Sequence, residues 1–162
     1  MSFIGIISNK RSFENIKNEL KSIQDNISII HINIKSITNV KNIKFEIIVI
    51  DENIKKFENN MECLKCICNN AKYIIVNSDI NKNYKIENRE KAQVITYGLN
   101  RKANITVSSI SDTNILIYRQ KVFENRNKIK QEIEESNIEV KEKNKLKVYE
   151  MLIIYIIKCI YN

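Results

Sequence analysis

Residues 93–110 read QVITYGLNRKANITVSSI. The opening run, QVITY, has the length and β-branched content of a strand buried on both faces. It meets Gly98, one of only two glycines in the chain, which implies either a positive φ or a close backbone approach directly after the strand. Beyond it, Ile105, Val107 and Ser109 alternate with Thr106, Ser108 and Ile110, the SDTN at 111–114 makes a turn, and 115–119 alternates again. That second half reads as an antiparallel hairpin. Gly98 therefore marks the joint at which a parallel sheet gives way to an antiparallel excursion.

Upstream, YIIV at 73–76 is a buried strand, and Asn77, Ser78 and Asp79 stand at its carboxyl end, the edge where open α/β sheets bind ligands. A carboxylate there could hold a ribose or magnesium, and Asx residues in loops also cap turns on their own. Nearer the start, FIGIIS at 3–8 is a short apolar strand. Ser12 offers a helix N-cap, and Phe13, Ile16, Leu20 and Ile23 form one helical stripe. ISIIHINI at 27–34 returns to strand character, which completes a β-α-β unit with the usual right-handed crossover. After a polar connection at 36–42, FEIIVI at 45–50 is a third strand ending at Asp51-Glu52. Ile54, Phe57, Met61, Leu64 and Cys68 trace a second helical stripe that ends near 69–70. Residues 80–91 are polar and read as a loop.

Downstream, 121–145 supports either helix or strand, with strand favoured around 138–141. The final segment, 146–161, is a helix whose stripe of Leu146, Tyr149, Ile153, Ile156 and Ile160 is widened by Met151, Leu152, Ile154 and Ile157. So broad an apolar face must be buried, against the sheet, in a homodimer seam or on a membrane surface. The fold class that emerges is α/β: a Rossmann-like, mostly parallel sheet flanked by helices, an antiparallel excursion, and a closing apolar helix. A chain of 162 residues with 43% hydrophobic content fits one domain, with a parallel part at 1–98, an antiparallel part at 99–145 and the helix at 146–162.

Lysine and arginine outnumber aspartate and glutamate by 27 to 19, a formal charge of +8. Basic proteins can carry polyanion-binding faces, but these lysines are spread over every segment without a long run, as on a solvated surface. The N-terminus lacks the pattern of a signal peptide and no apolar run reaches the roughly 18 residues of a membrane span. A cytoplasmic protein with four reduced cysteines is expected. Cys63, Cys66 and Cys68 resemble a metal motif only superficially: on a helix, at about 100° per residue, Cys66 and Cys68 diverge, so no metal site is assigned. The sole histidine, His31, lies in a predicted strand and reads as structural.

The segment AKYIIVNSDI, followed by QVITYGLNRKANITVSSI, resembles the central domain of the Mur ligases, the ATP-dependent amide-bond ligases of peptidoglycan synthesis. Val76-Asn77-Ser78-Asp79 and Thr96-Tyr97-Gly98 through Ser109 match the family's layout of a strand ending in Asn and acidic residues, a further strand, an aromatic-Gly turn and an antiparallel excursion. The C-terminal VYEMLIIYI is similar to the helix that closes that domain. The resemblance implies a nucleotide site at the turn after the first strand, where the family has a glycine-rich phosphate loop. Here that turn is Ser8-Asn9-Lys10-Arg11-Ser12: Lys10 stands at the glycine position and Arg11 at the lysine position. A side chain at the first obstructs phosphate approach, and arginine does not replace lysine neutrally. The family's magnesium-binding glutamate and histidine have no counterparts, and Glu150 stands where the family has an adenine-contacting asparagine.

The expectation is a stand-alone, non-catalytic Mur-ligase-like protein that binds a partner protein or a ligand, linked by the resemblance to cell-wall metabolism. No catalytic residue and no cofactor is assigned. The partner is either an unidentified protein or a second copy through the C-terminal helix. Two alternatives remain. One is a residual nucleotide-binding ligase subunit completed by another chain, using ATP and magnesium with Ser8, Asn9, Lys10, Arg11, Ser12, Asn77 and Asp79 as nucleotide-binding candidates. The other is a nucleic-acid-binding module, although aromatics are only 7% of residues and do not interleave with basic ones as stacking platforms do.

Overall fold

The computed structural model describes residues 1–23, 26–83, 91–140 and 146–162. Among these residues, eight strands form one mixed sheet, whose spatial order is Glu134–Glu139, Asn114–Arg119, Ile105–Ile110, Gln93–Tyr97, Tyr73–Asn77, Ile47–Ile50, Ser2–Ile7, Ile27–Ile32. Its parallel half comprises β1 (Ser2–Ile7), β2 (Ile27–Ile32), β3 (Ile47–Ile50), β4 (Tyr73–Asn77) and β5 (Gln93–Tyr97). The antiparallel half comprises β6 (Ile105–Ile110), β7 (Asn114–Arg119) and β10 (Glu134–Glu139). The chain is therefore an α/β fold with a mostly parallel sheet, antiparallel C-terminal strands and a C-terminal helix.

Strand periodicity explains why both faces are covered. Side chains alternate along a strand, so Ile4 and Ile6, Ile47 and Val49, and Tyr73 and Ile75 enter one apolar layer, while Ile7, Ile48 and Ile50, and Ile74 and Val76 enter the other. Helix α1 (Lys10–Glu19) and α4 (Val148–Tyr161) cover the first layer with Phe13, Ile16, Ile153, Ile156 and Ile160. On the opposite layer lie α2 (Ile37–Val40) and α3 (Met61–Asn69). The connection at 36–42, expected to be polar, contains α2, because Ile37 and Val40 are buried under the sheet.

The C-terminal helix packs its apolar face against the sheet. Leu152, Ile153, Ile156, Ile157 and Ile160 are fully buried within the chain, each contributing about 1.5–3 kcal/mol by leaving water. No helix among the described residues is long and apolar enough to cross a membrane. The second stripe folds as a 3₁₀ segment (Ile54–Asn60) running into α3, with Ile54, Phe57, Leu64 and Cys68 buried. On α3, Cys68 is buried and Cys66 exposed; burial pushes the Cys68 thiol up to about 12.

Three sequence expectations about α1 and the β5–β6 junction need correction. The N-cap of α1 is Asn9, not Ser12: Asn9 is extended and its side chain accepts from the Ser12 amide at 2.9 Å, which leaves Ser12 buried in the first turn. The parallel pairing does not stop at Gly98, since Tyr97 pairs in parallel with Ile105, so β6 begins where β5 ends before turning antiparallel to β7. The alternation of β6 is interrupted by a register shift between Val107 and Ser109; Ile105 and Thr106 are both buried and Ser108 to Ile110 are exposed.

The segment after β7 contains the two-residue strands β8 (Phe123–Glu124) and β9 (Lys130–Gln131) before β10. The strand expected around 138–141 runs over Glu134–Glu139, four residues earlier, pinned by its antiparallel register with β7; position 141 and most of the loop expected at 80–91 lie outside the described residues. Buried Arg119 ties β7 to its surroundings through Tyr155 Oη at 3.3 Å and Glu134 at 3.0 Å.

Candidate functional site

Chain order places a topological switch point between β1 and β3. From β1 the chain moves outward to β2 and then crosses back to β3 on the other side. In open α/β sheets the crevice outside the carboxyl ends of such strands is the usual ligand site. A cleft of about 450 Å3 opens there. Ser8, Asn9 and Lys10 line it from the β1–α1 turn. His31, Asn33 and Lys35 line it from the end of β2, and Glu52, Lys56 and Phe57 from the segment after β3.

Local chemistry fixes each wall. Asn33 Oδ1 accepts from the amides of Lys35 at 2.9 Å and Ser36 at 3.0 Å, an Asx turn that presents Lys35. His31 Nε2 lies 2.8 Å from the Ser8 carbonyl oxygen, and since a carbonyl only accepts, Nε2 carries the proton. The imidazole also stacks on Phe13 at 4.7 Å between centroids, so His31 is both a structural link and a wall of the cleft. Lys56 pairs with Glu52, four residues earlier and ahead of the 3₁₀ segment, at 2.6 Å. Among the described residues, the cleft thus carries three lysines against one carboxylate.

The nucleotide-binding candidates separate in space. Ser8, Asn9 and Lys10 line the cleft. Arg11 is exposed and does not line it. Ser12 points away, its hydroxyl donating to Glu150 Oε1 at 2.7 Å. Glu150 is 1% exposed and also accepts from Asn15 Nδ2 at 3.1 Å and from the Lys147 amide at 3.0 Å. One buried carboxylate therefore caps α4 and clasps the first turn of α1.

Asn77 and Asp79 belong to a different cluster, under α4. Asn77 is fully buried; its Oδ1 accepts from the Asp79 amide at 3.0 Å and its Nδ2 donates to Asp51 at 2.9 Å. Tyr97, also fully buried, donates its hydroxyl to the same Asp51 oxygen. Asp79 accepts from the Leu99 amide at 2.6 Å, Asn100 Nδ2 at 2.6 Å and Tyr149 Oη at 2.9 Å. Gly98 adopts no positive φ; it is there because a Cβ would lie 2.8 Å from Asp79 Oδ2. Of the two roles open to a glycine after β5, the close approach is the one used.

The two carboxyls in this cluster shift oppositely. Burial pushes Asp51 up, and the hydrogen bonds from Asn77 and Tyr97 offset that only in part. Burial also raises Asp79, but donors from Leu99, Asn100 and Tyr149 outweigh it and hold the carboxyl below its usual range. A depressed carboxyl contributes stability above its unfolded value, about 3.9, that disappears as pH falls through the folded value; a raised one works the other way. The expected result of melting scans from about pH 5 downward is that Asp79→Asn flattens the acid-side loss of melting temperature and Asp51→Asn steepens it. Parallel curves for wild type and Asp79→Asn would remove this account of the cluster.

The lining residues Asn33, Lys35, Glu52 and Lys56 escape a reading of strand ends as phosphate loops, because they come from two separated segments, after β2 and after β3, and neither is the β1–α1 turn. The available signal was Asp51-Glu52 at the end of a strand flanking the switch point. Glu150 was visible as a departure from a pattern, but its partner Ser12, 138 residues away, was not. No protein-family model matches the chain, and none of the curated proteins does.

Proposed function

We propose that this protein is a non-catalytic relative of the Mur ligase central domain that acts by binding a ligand or partner at the switch-point cleft. The observation that carries the reading is the clasp at the first turn of α1. In a phosphate loop that turn must offer backbone amides to an anion. Here the Asn9 side chain takes the Ser12 amide, the Asn9 carbonyl takes the Phe13 amide at 3.1 Å, and the Ser12 hydroxyl is held by Glu150. The strand-end residues that suggest the ancestry, Asn77, Asp79 and Gly98, are engaged with one another's neighbourhood as turn and packing elements, which agrees with a retained scaffold and relinquished chemistry.

The test is turnover. Incubated with millimolar Mg-ATP, the purified chain is expected to release no ADP above the buffer rate; release that depends on the protein and is abolished by Lys10→Ala would overturn the non-catalytic reading. The alternative of a nucleotide-binding subunit completed by another chain draws support from one observation, that Ser8, Asn9 and Lys10 all face the open cleft.

A further inference from the structure

We propose that the cleft between the ends of β1, β2 and β3 binds a phosphate-bearing small molecule without a metal ion, held by Lys10, Lys35 and Lys56. This rests on the reading of the cleft as the binding site and adds the chemistry of its ligand. Three lysines from three segments converge on one cavity of about 450 Å3. Lysine acts on phosphate as a point charge, whereas planar carboxylate recognition favours the arginine fork. Among the described residues, no arginine lines this cleft.

Magnesium-assisted binding would call for free carboxylates. The one carboxylate in the lining among the described residues, Glu52, is already paired with Lys56. A dianion entering the cleft would draw Lys56 toward itself and share it with Glu52. The remaining wall suits a compact organic body: Ile34 is 40% exposed and Phe57 closes the floor. The amides of the first α1 turn are not needed for this mode, so it is independent of a phosphate loop.

His31 is the only histidine and gives a single, assignable imidazole signal inside the cleft wall. The experiment is a titration of the full chain, labelled at histidine, with inorganic pyrophosphate in the presence of a metal chelator, set against sodium chloride at equal ionic strength. The expected result is a saturable shift of the His31 resonances with pyrophosphate and none with chloride. Lys35→Gln and Lys56→Gln should each weaken binding about tenfold, the scale of one charge-assisted hydrogen bond, while Lys128→Gln, in the β8–β9 turn, leaves it unchanged. A shift that grows linearly and equally in both salts overturns the proposal, as does a saturable shift that both cleft lysine variants leave intact. Either failure stands apart from the non-catalytic reading, which turns on ADP release.

Discussion

Glu150→Ala is expected to destabilise the protein by about 3–4 kcal/mol, because it strands buried or half-buried donors on two helices at once. The carboxylate is 1% exposed and meets three donors: the Ser12 hydroxyl, the Asn15 amide and the Lys147 backbone N–H. Ser12 can rotate its hydroxyl toward another acceptor, but the Lys147 amide at the start of α4 cannot. For a chain of this size the loss corresponds to a drop in melting temperature on the order of 10 °C. Glu150→Gln separates charge from hydrogen-bond count. It keeps one acceptor oxygen and turns an amide NH2 toward other donors, so a cost of about 1–3 kcal/mol is expected. Equilibrium denaturation of both variants checks this, and an alanine variant within about 1 kcal/mol of wild type would mean that Glu150 is not the clasp described.

The second large effect is expected at Gly98. A Cβ there would lie 2.8 to 2.9 Å from all three atoms of the Asp79 carboxylate, closer than side chains tolerate. Asp79 is short and held by Leu99, Asn100 and Tyr149, so it cannot swing aside without losing those bonds. Gly98→Ala should cost about 2–4 kcal/mol, from overpacking together with lost hydrogen bonds. The prediction sharpens in a double-mutant cycle. If the penalty is the clash with Asp79, then adding Gly98→Ala to Asp79→Ala should cost less than about 1 kcal/mol more. Additive costs would instead point to a requirement of the Gly98 backbone itself.

Much of the fold is legible in the sequence because it depends on short-range periodicity. Short apolar runs rich in β-branched residues, such as IIVI at 47–50 and YIIV at 73–76, read as strands covered on both faces, and the helical stripes follow from their spacing, although the first part of the second one winds as 3₁₀. What escapes is chemistry between distant positions. Ser12 is a plausible N-cap in one dimension, and only the arrival of Glu150 from α4 explains why it is buried at the third helical position while Asn9 caps. The shift within β6 depends on which residues of β7 it faces. The strand in β10 carries Glu134, Glu135 and Glu139, a charged pattern whose register comes from β7 rather than from its own propensity.

The candidate site divides along the same line. Asn77 and Asp79 were readable as strand-end residues, and local sequence left their role open between ligand and turn. Their burial and hydrogen bonds place them in a turn network with Asp51, Tyr97 and Tyr149. The cleft itself is built by topology: Lys10, Lys35 and Lys56 meet because β1 lies between β2 and β3. No pattern within any one of those segments announces it.

The proposal that the first turn of α1 has been turned inward, from anion binding to self-capping, is tested most directly by amide hydrogen exchange at Ser12 with and without Mg-ATP. The expected result is that the Ser12 amide, bonded to Asn9 Oδ1 at 2.9 Å, is already protected in the free protein and that Mg-ATP leaves its protection unchanged. A Ser12 amide that exchanges freely and becomes protected only when Mg-ATP is added would contradict it.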